Sequence, residues 1–236
     1  MHRQLEPDRL HLSVDGLILT ICEGQLSVLL SRRSHPPCEG VWALPGRLVA
    51  LDESADEAAR QLLQEMLPGV NAYSEQLYTF TRADRDPRGR VVSIAYLILS
   101  PWEHLQDALA LPEVTLQCFR IGQGPEGIAL IRPDGHPLSP DDLAFDHGTI
   151  LRTGVTRLQG KIDYTDVSFH LLQDMQAFSL SELQTVFEAV LNQSLDASNF
   201  RRGILAKYES IGRIVQTSIA KKQGRGRPAA LYRFDP

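Results

Sequence analysis

Long apolar runs and paired cysteines are what this 236-residue sequence lacks. No apolar run approaches the roughly 20 residues needed to cross a bilayer, and residues 1–9 lack the apolar segment of a secretory signal. The three cysteines are scattered and none lies in a Cys-x-x-Cys spacing, which disfavours a disulfide framework or a cysteine-bound metal. We therefore expect a cytoplasmic protein with reduced thiols and with neither a bound metal nor a cofactor.

The net charge of −5 hides an uneven distribution of charge along the chain. Residues 152–236 hold 12 basic against 8 acidic residues, which leaves 12 basic against 21 acidic residues before them. From residue 195 onward the counts are 9 basic and 3 acidic. An acidic body with a basic end indicates an attached nucleic-acid module, although a solvated basic surface would give the same counts.

The first 135 residues or so alternate between strand-like and helix-like patterns, which predicts an α/β domain. The adjacent prolines Pro36 and Pro37 exclude a central strand and predict a loop over residues 34–40. The pattern predicts a β-hairpin over 11–21 and 26–30, followed by an interrupted strand over 42–48 and a helix over 53–67. Two further strands are predicted over 77–82 and 90–100. The stretch 121–140 is rich in Gly and Pro and holds one short apolar run at 128–131.

After residue 141 the pattern becomes helical. We predict a long helix over 141–158 and an amphipathic helix over 180–191 that begins with a capping box of Ser179 and Glu182. A short break leads to a second helix over 196–208, capped by Asp196. Two strand-like runs, 211–219 and 229–234, flank the basic turn 221–228. Helix, turn, helix and basic hairpin is the order of a winged helix-turn-helix.

A helix with an unusual pattern of carboxylates follows Gly46. The segment from Trp42 to Gly69 resembles the signature of Nudix hydrolases, whose helix presents glutamates at i, i+3 and i+4 to bind divalent cations that activate water. Only Glu65 remains of these three, because Leu62 and Met66 occupy the other positions. The two apolar residues lie one turn apart, so we expect part of the chelating face to be an apolar ridge. We predict no catalytic residues and no hydrolysis.

The second helix of the basic end is the predicted recognition helix. Its apolar stripe would hold Phe200, Ile204, Leu205 and Tyr208, which leaves its polar residues for DNA. Arginine reads guanine and asparagine reads adenine, while serine and lysine commonly contact phosphates. The candidate DNA-binding residues are Ser198, Asn199, Arg201, Arg202 and Lys207 on the helix, and Lys221, Lys222, Arg225 and Arg227 in the wing. A basic helix alone is common, and the prediction rests on the ordered combination.

Several local motifs together resemble the Nudix-related transcriptional regulators, the NrtR family. They are WALPG at 42–46, DPRGRVVS at 86–93, LAFDH at 143–147, GKIDYT at 160–165, FSLSELQ at 178–184, NFRR at 199–202 and GRPAALY at 226–232. The resemblance covers nearly the whole chain. It implies a homodimeric repressor, or sometimes an activator, of NAD-cofactor synthesis genes with ADP-ribose or a related nucleotide as effector; some members control sugar utilisation.

For the effector, cations in place of metal could hold a diphosphate directly. The candidate ligand-binding residues are Arg47, Arg82, Arg85, Arg88 and Arg90, with Trp42 and Tyr96 as stacking surfaces. The alternative interpretation is that residues 84–90 form an ordinary hairpin turn and that Trp42 belongs to the core. We interpret His147 and His170 as packed or helix-terminal histidines and not as catalytic ones, and Tyr164 as structural.

These patterns predict an α+β protein: a Nudix α/β/α sandwich over 1–145 and a winged helix-turn-helix over 146–236. The favoured function is a ligand-responsive regulator that binds a palindromic operator on double-stranded DNA as a homodimer, with no membrane partner. One alternative is an active Nudix pyrophosphatase acting on ADP-ribose or a similar nucleoside diphosphate. Another is a Nudix domain that only dimerises and binds no ligand.

Overall fold

The computed structural model describes residues 9–124, 127–221 and 229–235. Its strands are β1 (His11–Cys22), β2 (Gln25–Arg32), β3 (Trp42–Ala43), β4 (Gly46–Leu48), β5 (Tyr73–Phe80), β6 (Val91–Leu99), β7 (Leu116–Gly124), β8 (Gly127–Ile131), β9 (Pro137–Leu138), β10 (Phe178–Ser179), β11 (Ile214–Lys221) and β12 (Ala229–Phe234). Its α-helices are α1 (Ala55–Met66), α2 (Trp102–Leu109), α3 (His147–Lys161), α4 (Leu180–Leu191) and α5 (Ala197–Ile204). Short 3₁₀ turns cover Pro140–Asp142 and Val167–Leu171, and a π turn at Leu205–Glu209 continues α5.

The first nine strands form one mixed sheet. Seven of them follow the order β5-β6-β1-β2-β7-β8-β9, while β3 pairs with β2 and β4 pairs with β1. β1 and β2 form the antiparallel hairpin that the sequence predicts, with Cys22 opposite Gln25. β1 also pairs in parallel with β6 over nine residues, from His11 opposite Val91 to Leu19 opposite Leu99. This pairing brings the segment just before β6 to the first residues of β1.

Helices cover both faces of the sheet. On one face, α1 and α2 bury apolar residues such as Ala59, Leu62 and Leu105 against Ile18 and Ile98. On the other face, α3 packs with Leu17 and other residues into a second cluster that continues into the C-terminal helices. The predicted α/β/α sandwich is confirmed.

The C-terminal part combines α4, α5 and a small sheet in the order β10-β12-β11. Ser179 and Glu182 form the predicted capping box of α4: the side chain of each residue accepts a hydrogen bond from the backbone N–H of the other. Asp196 caps α5 by accepting from the Asn199 N–H at 2.8 Å. The rings of Phe187 and Phe200 meet edge to face at 5.1 Å and hold the two helices together. The helices and the antiparallel strands confirm the predicted winged helix-turn-helix.

Three features differ from the sequence-based expectations. Neither α2 nor β7 was predicted, and the stretch 121–140, which was expected to be Gly- and Pro-rich with one short apolar run, contains the last four residues of β7 and all of β8 and β9. The prediction of one helix over 141–158 is wrong at both ends. A 3₁₀ turn starts at Pro140, Phe145 has a φ of +56°, and α3 begins only at His147. Asp146, which follows Phe145, pairs there with Arg85.

The division between residues 145 and 146 stays a prediction. α3 follows that point, yet it lies on the sheet and also contacts α4. At Gly154 an added Cβ would lie 2.0 Å from Leu17 Cδ2 and 3.2 Å from Leu77 Cδ2, so only glycine allows this close seating of α3 on the sheet. Across residues 9–124, 127–221 and 229–235, no helix combines the length and apolarity needed to cross a bilayer.

Candidate functional site

A cavity of about 670 Å³ opens where β1 changes partner. β1 pairs with β4 over residues 13–15 and with β2 only from Leu19 onward. The two partner strands therefore diverge and leave a gap between them. Gly46 permits the close approach of β4, because an added Cβ would lie 2.2 Å from Asp15 Oδ1. Such a volume lies within the range of small-molecule sites.

The floor of the cavity is a buried ionic cluster around Arg85. This guanidinium donates to Asp146 at 2.7 and 3.1 Å and to Asp15 at 3.2 Å, and all three side chains are at most 8% exposed. The Ser93 hydroxyl donates to the same Asp15 oxygen. The attraction of the two carboxylates outweighs burial and raises the pKa of Arg85. The cluster ties β1, the 84–90 turn and the start of α3 into one rigid unit.

The cavity wall carries an excess of positive charge. Its lining contains five arginines against three carboxylates, in a region of the chain that is acidic overall. Arg33 and Arg88 lie over the Phe145 ring, with Cζ 4.7 and 5.7 Å from its centroid. Burial, followed by repulsion from Arg88, lowers the pKa of Arg33. Positive charges held this close together favour an anion between them.

Phe145 holds its place on the wall at some cost in backbone energy. Its φ of +56° lies in the left-handed region, which costs a residue with a side chain about 1–2 kcal/mol. Strain of this kind persists where the surrounding structure imposes it, and it is common at ligand sites. Here the next residue, Asp146, is held by Arg85, and the Phe145 ring contacts Arg33 and Arg88.

Arg47 occupies the region where a Nudix helix would hold cations. Its guanidinium lies 3.3 Å from Glu53 Oε1 and 3.9 Å from Glu65 Oε1, and it also donates to Gln61. Among the described residues, no three His, Cys, Asp or Glu side chains are grouped so that they could hold a metal ion. Arg47 thus pairs with the carboxylates of Glu53 and Glu65, and it adds a positive charge to the cavity wall.

The expected apolar ridge on α1 is only half present. Met66 lines the cavity, as predicted. Leu62 is 1% exposed and packs into the core, where its Cδ2 lies 3.4 Å from an added Cβ at Gly16. Residues four apart on a helix differ by about 40° in direction, which is enough to put one in the core and the other at its edge.

His147 joins the cavity wall to the first turn of α3. Its Nδ1 accepts a hydrogen bond from the Leu44 N–H at 2.9 Å, and its Nε2 lies 3.6 Å from Asp15 Oδ1. An accepting Nδ1 belongs to a neutral ring with its proton on Nε2. Burial lowers the pKa of His147 despite the attraction of Asp15. It is packed, as predicted, but it also lines the cavity.

This lowered pKa predicts a loss of stability in acid. In the unfolded chain the His147 pKa is near 6.5, so below that pH the unfolded state gains a proton that the folded state resists. The contribution of the neutral ring is complete above about pH 6.5 and is lost as the pH falls toward the folded-state pKa, with a limiting slope of about 1.4 kcal/mol per pH unit. We expect the urea midpoint to fall less between pH 7 and pH 5 in His147→Gln than in wild type.

The exposed His136 provides the matched control, because His136→Gln should keep the wild-type dependence. Burial lowers the pKa of His170 as well, so part of the slope should remain in His147→Gln. Identical pH dependence in His147→Gln and wild type would contradict the assignment.

The structure brings three of the seven candidate ligand residues together: Arg47, Arg85 and Arg88 line the cavity. The other four lie outside it. Arg82 is exposed and paired with Asp84 at 2.7 Å, and Arg90 donates to the Thr81 carbonyl at 2.8 Å. Trp42 packs edge to face on Phe119 at 4.9 Å, and Tyr96 is buried beneath α1, where its hydroxyl donates to Asp56.

Sequence reasoning missed Arg33, Phe145 and His147 as lining residues. Phe145 and His147 stand in the quoted LAFDH motif, and that motif was the available signal. Arg33 precedes the proline loop and was not singled out.

The candidate DNA surface is the outer face of α5. Ser198, Asn199, Arg201 and Arg202 are all exposed there. Arg202 Nη2 donates to Asn199 Oδ1 at 2.7 Å, so the two side chains form one polar group on the first turns of the helix. Arg201 Nη2 lies 3.4 Å from the Tyr232 hydroxyl of the wing strand β12. The α5 surface therefore offers two cationic donors next to the wing.

Lys207 differs from the other helix candidates. Its Nζ donates to the Asp163 carbonyl and lies 4.4 Å from the centre of the Tyr208 ring. Burial lowers its pKa. The structure thus places it against the chain after α3. In the wing, Lys221 ends β11 and its side chain is outside the described part; Lys222, Arg225 and Arg227 lie outside the described residues.

Comparisons with known proteins agree with this geometry. Residues 168–234 match the NrtR DNA-binding winged helix domain. The ADPR-responsive transcriptional repressor NtrR of Acinetobacter baylyi is 33% identical over 231 residues, covering 94% of this chain and 81% of the relative. An ADP-ribose pyrophosphatase of Methanocaldococcus jannaschii is 34% identical over 100 residues, covering 41% of this chain and 57% of that protein.

Solved structures extend the likeness to the whole chain. The crystal structure of Shewanella oneidensis NrtR complexed with a 27mer DNA superposes with a TM-score of 0.75 at 30% identity, covering 95% of this chain and 93% of the other. A MutT/nudix family protein from Enterococcus faecalis superposes with a TM-score of 0.75 at 27% identity, covering 99% of this chain and 90% of the other. The resemblance predicted from the sequence motifs is confirmed: the chain belongs to the NrtR family of transcriptional regulators and carries its DNA-binding winged helix domain.

Proposed function

We propose that the protein is a transcriptional repressor that binds a palindromic operator through α5 and the wing and responds to ADP-ribose or a related nucleotide. The observation that carries this proposal is the capped helix α5 with exposed Asn199, Arg201 and Arg202, in a chain that also holds a cationic cavity. The names and complexes of the relatives support it. By the same family likeness we propose a cytoplasmic homodimer that controls genes of NAD-cofactor metabolism.

For the effector we propose that its diphosphate lies among Arg33, Arg47 and Arg88. Guanidinium groups donate two parallel hydrogen bonds to phosphate oxygens and keep their charge at every physiological pH. The mutual repulsion of Arg33 and Arg88 falls when an anion binds between them. The Phe145 ring, over which both guanidinium groups lie, adds an aromatic surface for a base or a sugar.

We further propose that the cavity binds its nucleotide without hydrolysing it. Hydrolysis by a Nudix helix depends on cations that activate water. Here Met66 stands at one carboxylate position on the cavity wall, and Arg47 sits between Glu53 and Glu65, where its charge opposes entry of a cation.

The alternative function is an active ADP-ribose pyrophosphatase, and the likeness to the archaeal enzyme favours it. Chromatography of ADP-ribose incubated with Mg²⁺, beside an active pyrophosphatase as control, distinguishes the two. We expect no AMP. AMP release that Glu65→Gln abolishes would establish the enzyme.

A gel-shift experiment on DNA upstream of the protein's own gene tests the regulator. We expect a shift that weakens at higher salt, because contacts to phosphates release counterions. Footprinting should show two half-sites about 34 Å apart, as dimeric binding requires. ADP-ribose, ATP, NAD and sugars are then added in turn, and a response to ADP-ribose is expected. Absence of any shift on the whole upstream region would contradict the proposal.

Replacing Arg47 tests the ligand site. We expect Arg47→Ala to weaken ADP-ribose binding about 10- to 150-fold, because a hydrogen bond to a charged group contributes roughly 1.5–3 kcal/mol. Titration calorimetry in EDTA measures the affinity without metal. Arg82→Ala is the matched control, since Arg82 is exposed and outside the cavity. Unchanged affinity in Arg47→Ala, or binding that needs Mg²⁺, would refute the assignment.

A further inference from the structure

Helix α3 extends from the candidate ligand cavity to the DNA-binding helices. Its 15 residues give it a length of about 22 Å at 1.5 Å per residue. The cavity end begins with His147, and the far end reaches Lys161 next to α4. The cavity end is held by an ion pair and by cation–ring contacts, whereas the far end is held to the DNA-binding helices by hydrogen bonds.

At the cavity end, the residues that lead into α3 contact arginines that line the cavity. Asp146 pairs with Arg85, and Arg33 and Arg88 both lie over the Phe145 ring. The backbone is also fixed here, since the Ala144 N–H donates to the Trp42 carbonyl at 2.8 Å. A ligand that draws these guanidinium groups toward its own anionic oxygens must change their contacts with the start of α3.

In its middle, α3 lies closely on the sheet, and its side chains Leu151, Val155 and Leu158 are buried in the core. Gly154 faces Leu17 and Leu77, where any larger residue would collide. An ion pair between Lys161 and Glu75 of β5 holds the last turn, with Nζ 2.7 Å from Oε1. The packed helix is therefore one rigid element that connects the cavity end to the far end.

At the far end, hydrogen bonds connect α3 and its following turn to both helices of the DNA reader. Gln159 Nε2 donates to the Val190 carbonyl at the end of α4, at 3.0 Å. The Tyr208 hydroxyl, from the turn that continues α5, donates to the Thr165 carbonyl at 2.9 Å. Lys207 reaches the Asp163 carbonyl in the same segment. A displacement of α3 thus acts on α4 and α5 together.

We propose that α3 couples the cavity to the DNA reader: occupancy of the cavity changes the contacts of Phe145 and Asp146, and α3 passes the change to α5 through Gln159 and Tyr208. This inference rests on the proposed function. A coupling between two sites is measured as the factor by which one ligand changes the affinity for the other, commonly about 5- to 150-fold. By linkage, the operator must change the affinity for ADP-ribose by the same factor.

The test removes two of the three far-end hydrogen bonds and leaves both binding sites intact. The double variant Gln159→Met with Tyr208→Phe keeps side-chain volume and loses both hydrogen bonds. Neither residue lines the cavity or lies on the outer face of α5. The matched control is Thr153→Val with Thr185→Val, because each of those hydroxyls donates only within its own helix, to Thr149 and to Ser181. Thermal unfolding of each variant verifies that it folds.

Three dissociation constants are measured: ADP-ribose alone, operator alone, and operator with saturating ADP-ribose. We expect the first two to stay within about threefold of wild type in the double variant, while the coupling factor falls at least fivefold; the control should keep the wild-type factor. An unchanged factor in the double variant overturns the coupling role of α3 and leaves the proposed function standing. A wild-type protein that binds neither ligand, or whose operator affinity does not respond to ADP-ribose, overturns both. If the double variant unfolds, the single variant Gln159→Met takes its place under the same criteria, with at least a twofold fall expected.

Discussion

Replacing Arg85 with alanine is expected to lower the free energy of unfolding by about 3–5 kcal/mol, the usual cost of removing one partner from a buried ion pair. Asp15 and Asp146 would remain buried on the cavity floor without a counter-charge. For a chain of this length the loss corresponds to a fall in Tm of roughly 6–20 °C. Calorimetry or circular dichroism during heating measures it.

Arg82, three residues before Arg85, provides a control for the loss of an ion pair. Arg82 also pairs with an aspartate at 2.7 Å, but both partners are exposed. Exposed pairs contribute little, so Arg82→Ala should leave Tm unchanged within error. If uncompensated charge is the cause, adding Asp15→Asn and Asp146→Asn to Arg85→Ala should recover part of the loss. Equal Tm for Arg85→Ala and wild type would show that the cluster contributes nothing to stability.

Local patterns were sufficient to predict the elements whose signals lie within a few residues. The hairpin of β1 and β2, the proline loop and the capping box at Ser179 all depend on near neighbours, and all are present. The predicted start of α3 was wrong, and the residues before the helix make long-range contacts: Asp146 pairs with Arg85, which is 61 residues away in the sequence. No local pattern contains that information.

The same reasoning explains the mixed outcome for the cavity. Arg47, Arg85 and Arg88 belong to segments already singled out by their motifs. Arg33 and Phe145 are far apart in sequence and meet only because the strands of the sheet pair in a particular order. Tyr96 illustrates the opposite error: on β6 alternate residues face opposite sides, and its side of the sheet is the one beneath α1. The sequence shows that the side chains of the strand point to alternate sides. Which helix covers each side is determined only by the fold.

Replacing Arg202 with alanine is expected to weaken operator binding by about 1–3 kcal/mol, or roughly 5- to 150-fold, the range for an arginine that reads a base. Arg202 lies on the first turns of α5, the part of a recognition helix that contacts base edges. Its bond to Asn199 holds the guanidinium in a defined direction before DNA arrives, which reduces the entropy lost on binding. Fluorescence anisotropy on the footprinted operator measures the change.

Arg202→Lys distinguishes base reading from phosphate contact. A lysine keeps the charge but cannot donate two parallel hydrogen bonds to guanine, so it should restore little affinity if Arg202 reads a base. Binding to scrambled DNA should then hardly change in either variant, because non-specific binding depends on phosphate contacts. Full rescue by lysine would assign Arg202 to a phosphate instead, provided that Arg202→Ala also reduces the slope of log affinity against log salt concentration by about one.

Arg60→Ala, at an exposed position on α1, controls for loss of a positive charge elsewhere on the chain. If Arg202→Ala binds the operator as wild type does, α5 does not present Arg202 to DNA, and the interface must be rebuilt around Arg201 and the wing.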